Sequence, residues 1–269
     1  MTTSNLPADG ELRIGPVTLP IGQRVLNHSG DPVAWATTQP VRQAGRDWYA
    51  ISALAQETGL VPILLAGLDG TAARPWDERE FDAPADIAEL DQLDPVSVLA
   101  ACWDESIPDE EEQAEEEGEA DSAAAQRAPF GWQFPGLARP EQTQLSEAER
   151  IRALDSLPAA RIGLIAASRP ADALPLLGWI GAANRYDDSL PLATVLRSWE
   201  DRFGARLLEV GFAEIRLFVE RPPRGTTEAT SIAAEHYAFC DECGGHGLTT
   251  ISEISASLIN APIWTFWWD

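Results

Sequence analysis

The amino-acid sequence predicts an α+β fold, a mixed sheet with flanking helices, and three observations lead to this prediction. Of its 269 residues, 45% are hydrophobic and ten are tryptophan, which is ample for a packed core. Residues 161–167, RIGLIAA, form a continuous apolar run of strand length. Residues 190–204, LPLATVLRSWEDRFG, carry apolar side chains at helical spacing and end in a glycine. Strands and helices therefore share one chain.

The N-terminal part contains two predicted strands and two predicted helices. Residues 11–20, ELRIGPVTLP, indicate a short strand. Residues 47–59, DWYAISALAQETG, indicate an amphipathic helix that ends at its glycine, and residues 60–68, LVPILLAGL, follow as a buried strand. Asp94 and Pro95 are typical of the N-cap and the first turn of a second helix.

An acidic run, residues 104–121, interrupts this pattern. It contains eleven carboxylates and no basic residue, a composition typical of a solvated, disordered loop. We therefore predict an N-terminal α+β part at residues 1–103, an acidic loop at 104–128 and a C-terminal α+β domain at 129–269.

The C-terminal part is predicted to contain, in order, a strand, helices, two strands, helices and a strand. After the strand at 161–167, helices are predicted at 169–179 and 190–204 and strands at 205–210 and 213–220. Helices at 227–240 and 249–260 follow, and the last strand is at 263–268. Thr250 and Glu253 form a capping box for the last helix. The order resembles the split β-α-β arrangement of a ferredoxin-like sheet. We expect the final strand to lie inside that sheet, because it is apolar on both faces.

The composition excludes several classes of function. All nineteen basic residues are arginine, so lysine-based catalysis is excluded. The net charge of -24 repels a phosphate backbone, so we expect no nucleic-acid binding. The sequence shows neither a secretory leader nor an apolar run long enough to cross a bilayer, which predicts no membrane association and a cytoplasmic location. Three cysteines do not form a disulfide framework.

Residues 235–247, EHYAFCDECGGHG, bring four metal-ligating side chains together: His236, Cys240, Cys243 and His246. A Cys2His2 zinc set is one interpretation, although usual structural sites join two separated pairs of ligands. A redox pair is disfavoured because Cys240 lies at the C-terminal end of its helix. Simple packing of a helix end is the third interpretation. No cofactor is favoured, and zinc is the alternative.

A second group of residues could serve catalysis. Glu200 or Glu235 would act as a general base beside His236, and Arg202 would hold an anionic substrate. Ordinary ion pairs are the alternative interpretation of the same charges.

Four residues are candidates for ligand binding. Trp132 lies in an aromatic loop, PFGWQFPG, and Trp179 lies between two glycines, so both could line a groove. Trp199 and the terminal Asp269 belong to the charged and aromatic group that includes Glu200.

Several segments together resemble a bacterial family known as domain of unknown function 4253. The matching pieces are RPADALPLLGW, LRSWEDRFGARL, the PP after a strand, AAEHYAFC and WTFWWD. They span residues 160–269 closely, and GLVPILLAGL with RPW more loosely. The resemblance implies a domain and supplies no reaction, cofactor or catalytic residue. Cys240 fits the family pattern, whereas Cys243 and His246 do not.

The leading hypothesis is a cytoplasmic bacterial protein that binds a protein partner without catalysis. The acidic surface favours a basic partner, and an immunity-like role against a basic toxin is one version. The first alternative is a hydrolase-type enzyme with a cleft of Glu, His and Arg side chains. The second is a domain stabilised by zinc through the His and Cys stretch.

Overall fold

The computed structural model describes residues 6–68, 72–106, 125–141, 143–240 and 250–268. Its strands form one mixed sheet and are β1 Gly10–Ile14, β2 Val17–Leu26, β3 Pro32–Thr37, β4 Leu60–Leu65, β5 Arg161–Ala166, β6 Ala205–Val210, β7 Glu214–Val219 and β8 Ile263–Trp267. The helices are α1 Ala44–Ser52, α2 Ala55–Thr58, α3 Pro95–Glu105, α4 Glu147–Asp155, α5 Ala173–Leu177, α6 Leu190–Phe203, α7 Thr226–Phe239 and α8 Ile251–Leu258. The α+β prediction is confirmed.

The first predicted strand is in fact a hairpin. β1 and β2 pair antiparallel, with Ile14 opposite Val17, and the chain reverses at Gly15. Gly15 has φ 53°, a left-handed conformation that glycine adopts without steric cost. The sequence analysis did not predict β3, which pairs with β2 and β5.

The strands lie in the order β1-β2-β3-β5-β4-β6-β7-β8 across the sheet. β5 lies between β3 and β4 and is antiparallel to both. β4 and β6 are parallel. β6, β7 and β8 continue as antiparallel neighbours. Strands from both sides of the acidic run therefore alternate within one sheet.

The ferredoxin-like arrangement is not confirmed, because β4 lies between β5 and β6. The prediction of an interior final strand is wrong, since β8 lies at the end of the strand order and pairs with β7. The side chains of β8 explain this position. Trp264 and Phe266 are fully buried, whereas the alternate residues Ile263, Thr265 and Trp267 are half-buried, so one face of the strand is less covered.

Helices cover both faces of the sheet. In β4, Val61, Ile63 and Leu65 point into the larger core cluster, which α3 and α5 to α8 complete. Leu60 and Leu64 point into a second cluster with residues of α1 and α4. All six residues of β4 are buried as a result. Among the helices of the described ranges, none combines the length and the hydropathy that crossing a bilayer requires.

Most predicted helix ends agree with the structure. Gly59 and Gly204 end α2 and α6 in the left-handed conformation. Asp94 caps α3 by accepting a hydrogen bond from the Ser97 N–H group. The helix predicted at residues 47–59 is divided into α1 and α2. The sequence analysis did not predict α4.

Candidate functional site

Glu235, a predicted general base, is completely buried on α7 and accepts four hydrogen bonds. Its Oε1 accepts from the Ala138 N–H group at 2.6 Å and from Arg202 Nη1 at 2.7 Å. Its Oε2 accepts from Trp199 Nε1 at 2.8 Å and from Arg202 Nη2 at 2.6 Å. Because both oxygens already accept two hydrogen bonds, proton abstraction by Glu235 would require that Arg202 first moves away.

The loop that carries Trp132 closes over this buried pair. Arg202 Nη1 also donates to the Ala138 carbonyl oxygen at 3.0 Å, so Ala138 bonds both members of the pair. α6 supplies Arg202 and the fully buried Trp199, and α7 supplies Glu235. This cluster therefore joins two helices and one loop, and its hydrogen bonds stabilise their packing.

His236 faces aromatic rings rather than Glu200 or another carboxylate of the predicted catalytic set. Its ring centroid lies 5.0 Å from that of Trp199, 4.6 Å from that of Trp264 and 4.7 Å from that of Phe266. Burial lowers the pKa of His236 to about 3, so the imidazole is neutral at pH 7.

Glu200 belongs to a different cluster. Its carboxylate lies 3.3 Å from Arg169 Nε and accepts a hydrogen bond from the Ala171 N–H group at 3.2 Å. Burial raises the pKa of Glu200, an effect that Arg169 opposes. The structure thus brings Arg202 and Glu235 together and places Glu200 beside the turn Pro170–Asp172.

The predicted metal ligands are only partly described. His236 packs among aromatic rings, and the buried Cys240 donates its Sγ–H to the Trp267 carbonyl oxygen at 3.0 Å. Cys243 and His246 lie outside the described residues. Within the ranges that are described, no three His, Cys, Asp or Glu side chains are placed to share a metal ion.

A cleft opens at the carboxyl ends of three strands. β4 and β6 are parallel, and β8 runs in the same direction because β7 is antiparallel to both β6 and β8. Their ends therefore meet at one edge of the sheet, which is where open α/β sheets usually bind ligands. The cleft has a volume of about 580 Å³, within the range of ligand-binding cavities.

Two loops form the walls of this cleft above the strand ends. Trp76 Nε1 donates to the carbonyl oxygens of Ala66 and Val210, which fixes the loop after β4. Trp179 Nε1 donates to the Gly211 carbonyl oxygen at 2.9 Å, which fixes the loop after α5. The two loops also contact each other, since the Asp82 N–H group donates to the Gly178 carbonyl oxygen at 2.8 Å.

The walls are largely aromatic and aliphatic. Trp179 and Trp268 meet edge to face with their ring centroids 5.7 Å apart, and both line the cleft with Phe81 and Phe212. Ile180 also lines it and is 46% exposed, a large fraction for an aliphatic side chain. Ile180 and the half-buried Phe212 are therefore the parts of this lining that face solvent, whereas Phe81, Trp179 and Trp268 are at most 5% exposed.

Charged side chains border the apolar walls. Arg74 donates to both carboxylate oxygens of Glu80 at 2.6 to 2.9 Å and lies 4.5 Å from the centre of the Phe212 ring. The His28 ring contacts the Phe81 carbonyl oxygen through Nδ1 at 2.9 Å. Further charges come from Glu78, Arg79 and Asp82.

Two glycines are necessary for the shape of the cleft. Gly178 has φ 70°, and a Cβ atom there would lie 2.1 Å from the Asp82 carbonyl oxygen. A Cβ atom on Gly181 would lie 2.2 Å from the Phe212 carbonyl oxygen. Either side chain would force the two walls apart, because real Cβ atoms do not approach oxygen so closely.

The predicted binding residues are distributed over several places. Trp179 lines the cleft, whereas Trp199 lies in the core. Trp132 is 43% exposed and lies near Arg127, whose guanidinium carbon is 5.5 Å from its ring centre. Asp269 lies outside the described residues.

Sequence reasoning missed most of the cleft. It singled out neither His28 nor Phe81, because these residues come from unrelated segments that meet only in the folded chain. A weak signal did exist for Arg74, which lies in the RPW piece of the family resemblance, and for Phe212, which lies in the predicted hairpin turn.

Comparison with known proteins confirms the resemblance drawn from the sequence. The family model described as Domain of unknown function (DUF4253) matches residues 161–269. No curated protein and no solved structure matched the chain. The matched residues include β5 to β8 and the wall of the cleft that carries Trp179, Phe212 and Trp268, whereas Arg74 and Phe81 precede them.

Proposed function

We propose a non-catalytic function in protein interaction for this chain, whose residues 161–269 belong to the family described as Domain of unknown function (DUF4253). The protein partner binds at the cleft. The observation that carries this proposal is the exposed Ile180 side chain, which lines the cleft at the carboxyl ends of the strands together with the half-buried Phe212 and the buried Trp179. Apolar patches bordered by polar residues are typical of interaction sites.

The internal contacts of Glu235 support a non-catalytic role. Its carboxylate is held by four hydrogen bonds in the core, and His236 packs against aromatic rings instead of a carboxylate. Glu235, one of the two predicted general bases, and its neighbour His236 therefore serve packing in the core, whereas the cleft contains ion pairs and apolar side chains.

We place the protein in the cytoplasm. Cys102 and Cys240 are both buried thiols, as is usual in a reducing compartment. An immunity-like role, in which the acidic chain neutralises a basic toxin, is the most concrete form of the proposed function. The net charge of -24 would accelerate association with such a partner.

Partner capture with a matched pair of variants tests the proposal. Ile180→Asp places a charge in the cleft, and Ile21→Asp makes the same change at a distant site on β2 that is 60% exposed. We expect the wild type and Ile21→Asp to retain one partner from the native host, and Ile180→Asp to lose it while keeping its circular dichroism spectrum. Equal retention by both variants, or no partner that survives moderate salt, would refute the proposal.

A further inference from the structure

The cleft adjoins a second cavity of about 340 Å³ at the same edge of the sheet. Phe212, Ala213 and Trp268 line both cavities, and Leu68 lines the second one. The two cavities therefore lie on either side of one shared ridge. We call this combined surface the strand-end groove.

Exposed aliphatic side chains occur on both sides of the ridge. Leu68 is 42% exposed in the second cavity, and Ile180 is 46% exposed in the cleft. Recognition of an extended peptide commonly uses pockets that take alternate apolar side chains. A ligand that fills the strand-end groove would place one apolar group on each side of Phe212.

The charges of the cleft favour a cation. The described lining of the cleft has three carboxylates, those of Glu78, Glu80 and Asp82, against the two guanidiniums of Arg74 and Arg79. Glu80 lies 2.6 Å and Glu78 3.9 Å from Arg74, and Asp82 lies 3.4 Å from His28. The carboxylates of Glu78 and Asp82 are still 58% and 61% exposed, so a further cation can reach them. The net charge of the whole chain, -24, adds a long-range attraction for basic groups.

The cleft also shows how a guanidinium is bound there. Arg74 lies over the face of Phe212 while Glu80 accepts its hydrogen bonds. An aromatic face beside a carboxylate binds a cation through both the ring and the charge. The exposed carboxylates of Glu78 and Asp82 stand on the same rim, beside Trp179 and Ile180.

We infer that the strand-end groove binds a short, extended, basic segment of the partner protein. The segment carries an apolar side chain on each side of Phe212 and an arginine or lysine that faces Glu78 and Asp82. This inference rests on the proposed function and adds the chemistry of the bound segment. It predicts a sequence preference that can be measured without the natural partner.

Selection from a random library of displayed peptides, each about ten residues long, tests the inference with the whole protein as bait. We expect the selected peptides to contain one or more basic residues together with two apolar residues. Their affinities for Leu68→Asp and Ile180→Asp should each fall by about tenfold or more, because a carboxylate replaces an apolar contact. Ile21→Asp is the control and should bind like the wild type.

A second pair of variants isolates the charge. Glu78→Gln with Asp82→Asn should weaken the selected peptides about fivefold and reduce the salt dependence of binding. Glu57→Gln with Glu147→Gln changes the net charge equally at exposed positions outside the groove and should have a far smaller effect.

The outcomes separate this inference from the proposed function. Acidic or neutral selected peptides, equal losses for both charge variants, or no selected peptides would overturn the inference. The proposed function would then still be judged by whether Ile180→Asp loses the natural partner. If that partner is lost while no peptide is selected, the cleft binds a folded surface of the partner, and the inference of a basic extended segment is wrong.

Discussion

Arg202 and Glu235 form two parallel hydrogen bonds in the core, from Nη1 to Oε1 at 2.7 Å and from Nη2 to Oε2 at 2.6 Å. The Glu235 side chain is completely buried and that of Arg202 is 16% exposed. This geometry satisfies both charges at once. Removal of either charge leaves the other in a medium of low dielectric constant.

We expect Glu235→Gln to lower the free energy of unfolding by about 3 to 5 kcal/mol, the usual cost of breaking a buried ion pair. The control is Asp155→Asn, which breaks the exposed pair of Arg46 and Asp155 at 2.5 Å. Urea unfolding should show a far smaller change for the control. Similar losses for the two variants would contradict the structural role of Glu235.

The stability of the protein should depend on pH through His236. Its pKa is lowered from 6.5 to about 3 by burial, so between these values the unfolded state binds a proton that the folded state does not. The free energy of unfolding therefore decreases as the pH falls below about 6.5, by up to about 1.4 kcal/mol per pH unit. Burial raises the pKa of Glu200 and Glu209, which acts in the opposite direction.

Comparison with His236→Phe isolates the histidine from these carboxylates. Urea unfolding between about pH 7 and pH 5 should give a steeper loss for the wild type than for the variant. If the two proteins lose stability in parallel, His236 is not the neutral, buried group described above.

Gly178→Ala should destabilise the protein more than Gly59→Ala. Both glycines end short helices with nearly the same φ, 70° and 67°, so the backbone strain of about 1 to 2 kcal/mol is shared. At Gly178 the new Cβ atom also meets the Asp82 carbonyl oxygen, whereas nothing lies within 4 Å at Gly59. The difference between the two unfolding free energies measures this contact. A difference near zero would show that the loop of Asp82 shifts to accommodate the new Cβ atom without a loss of stability.

Residues 129–269 should not fold alone. This fragment contains β5, but both sheet neighbours of β5, the strands β3 and β4, precede residue 129. We expect a non-cooperative urea transition for the fragment and recovery of a cooperative one when residues 1–128 are added. Cooperative unfolding of the isolated fragment would support independent domains on either side of the acidic run.

Local features of the fold could be predicted from the sequence because local chemistry determines them. Gly204 ends α6 in the left-handed conformation, and Thr250 with Glu253 caps α8. α4 carried the same signal in Ser146 and Glu149, which the sequence analysis overlooked. The position of β4 between β5 and β6 depends on contacts between distant segments, and periodicity carries no information about such contacts.

The candidate site shows the same limit. The glycines beside Trp179 drew attention to this segment, and Trp179 lines the cleft, where a tight approach of two loops requires those glycines. The pairing of Arg202 with Glu235 could not be predicted, because α6 and α7 meet only through the tertiary structure. Proximity of Glu235 to His236 in the sequence suggested joint chemistry. Both side chains contact Trp199, but Glu235 accepts hydrogen bonds whereas His236 packs against aromatic rings.

The central position of β4 in the sheet also affects the folding of the chain during its synthesis. Its neighbours β5 and β6 are synthesised about 100 residues or more later, which corresponds to roughly 5 to 20 s of translation. During that interval a wholly apolar strand has neither sheet neighbour. An unpaired strand of this kind readily associates with other chains. We therefore expect the nascent chain to be most prone to association with other chains before β5 and β6 have been made.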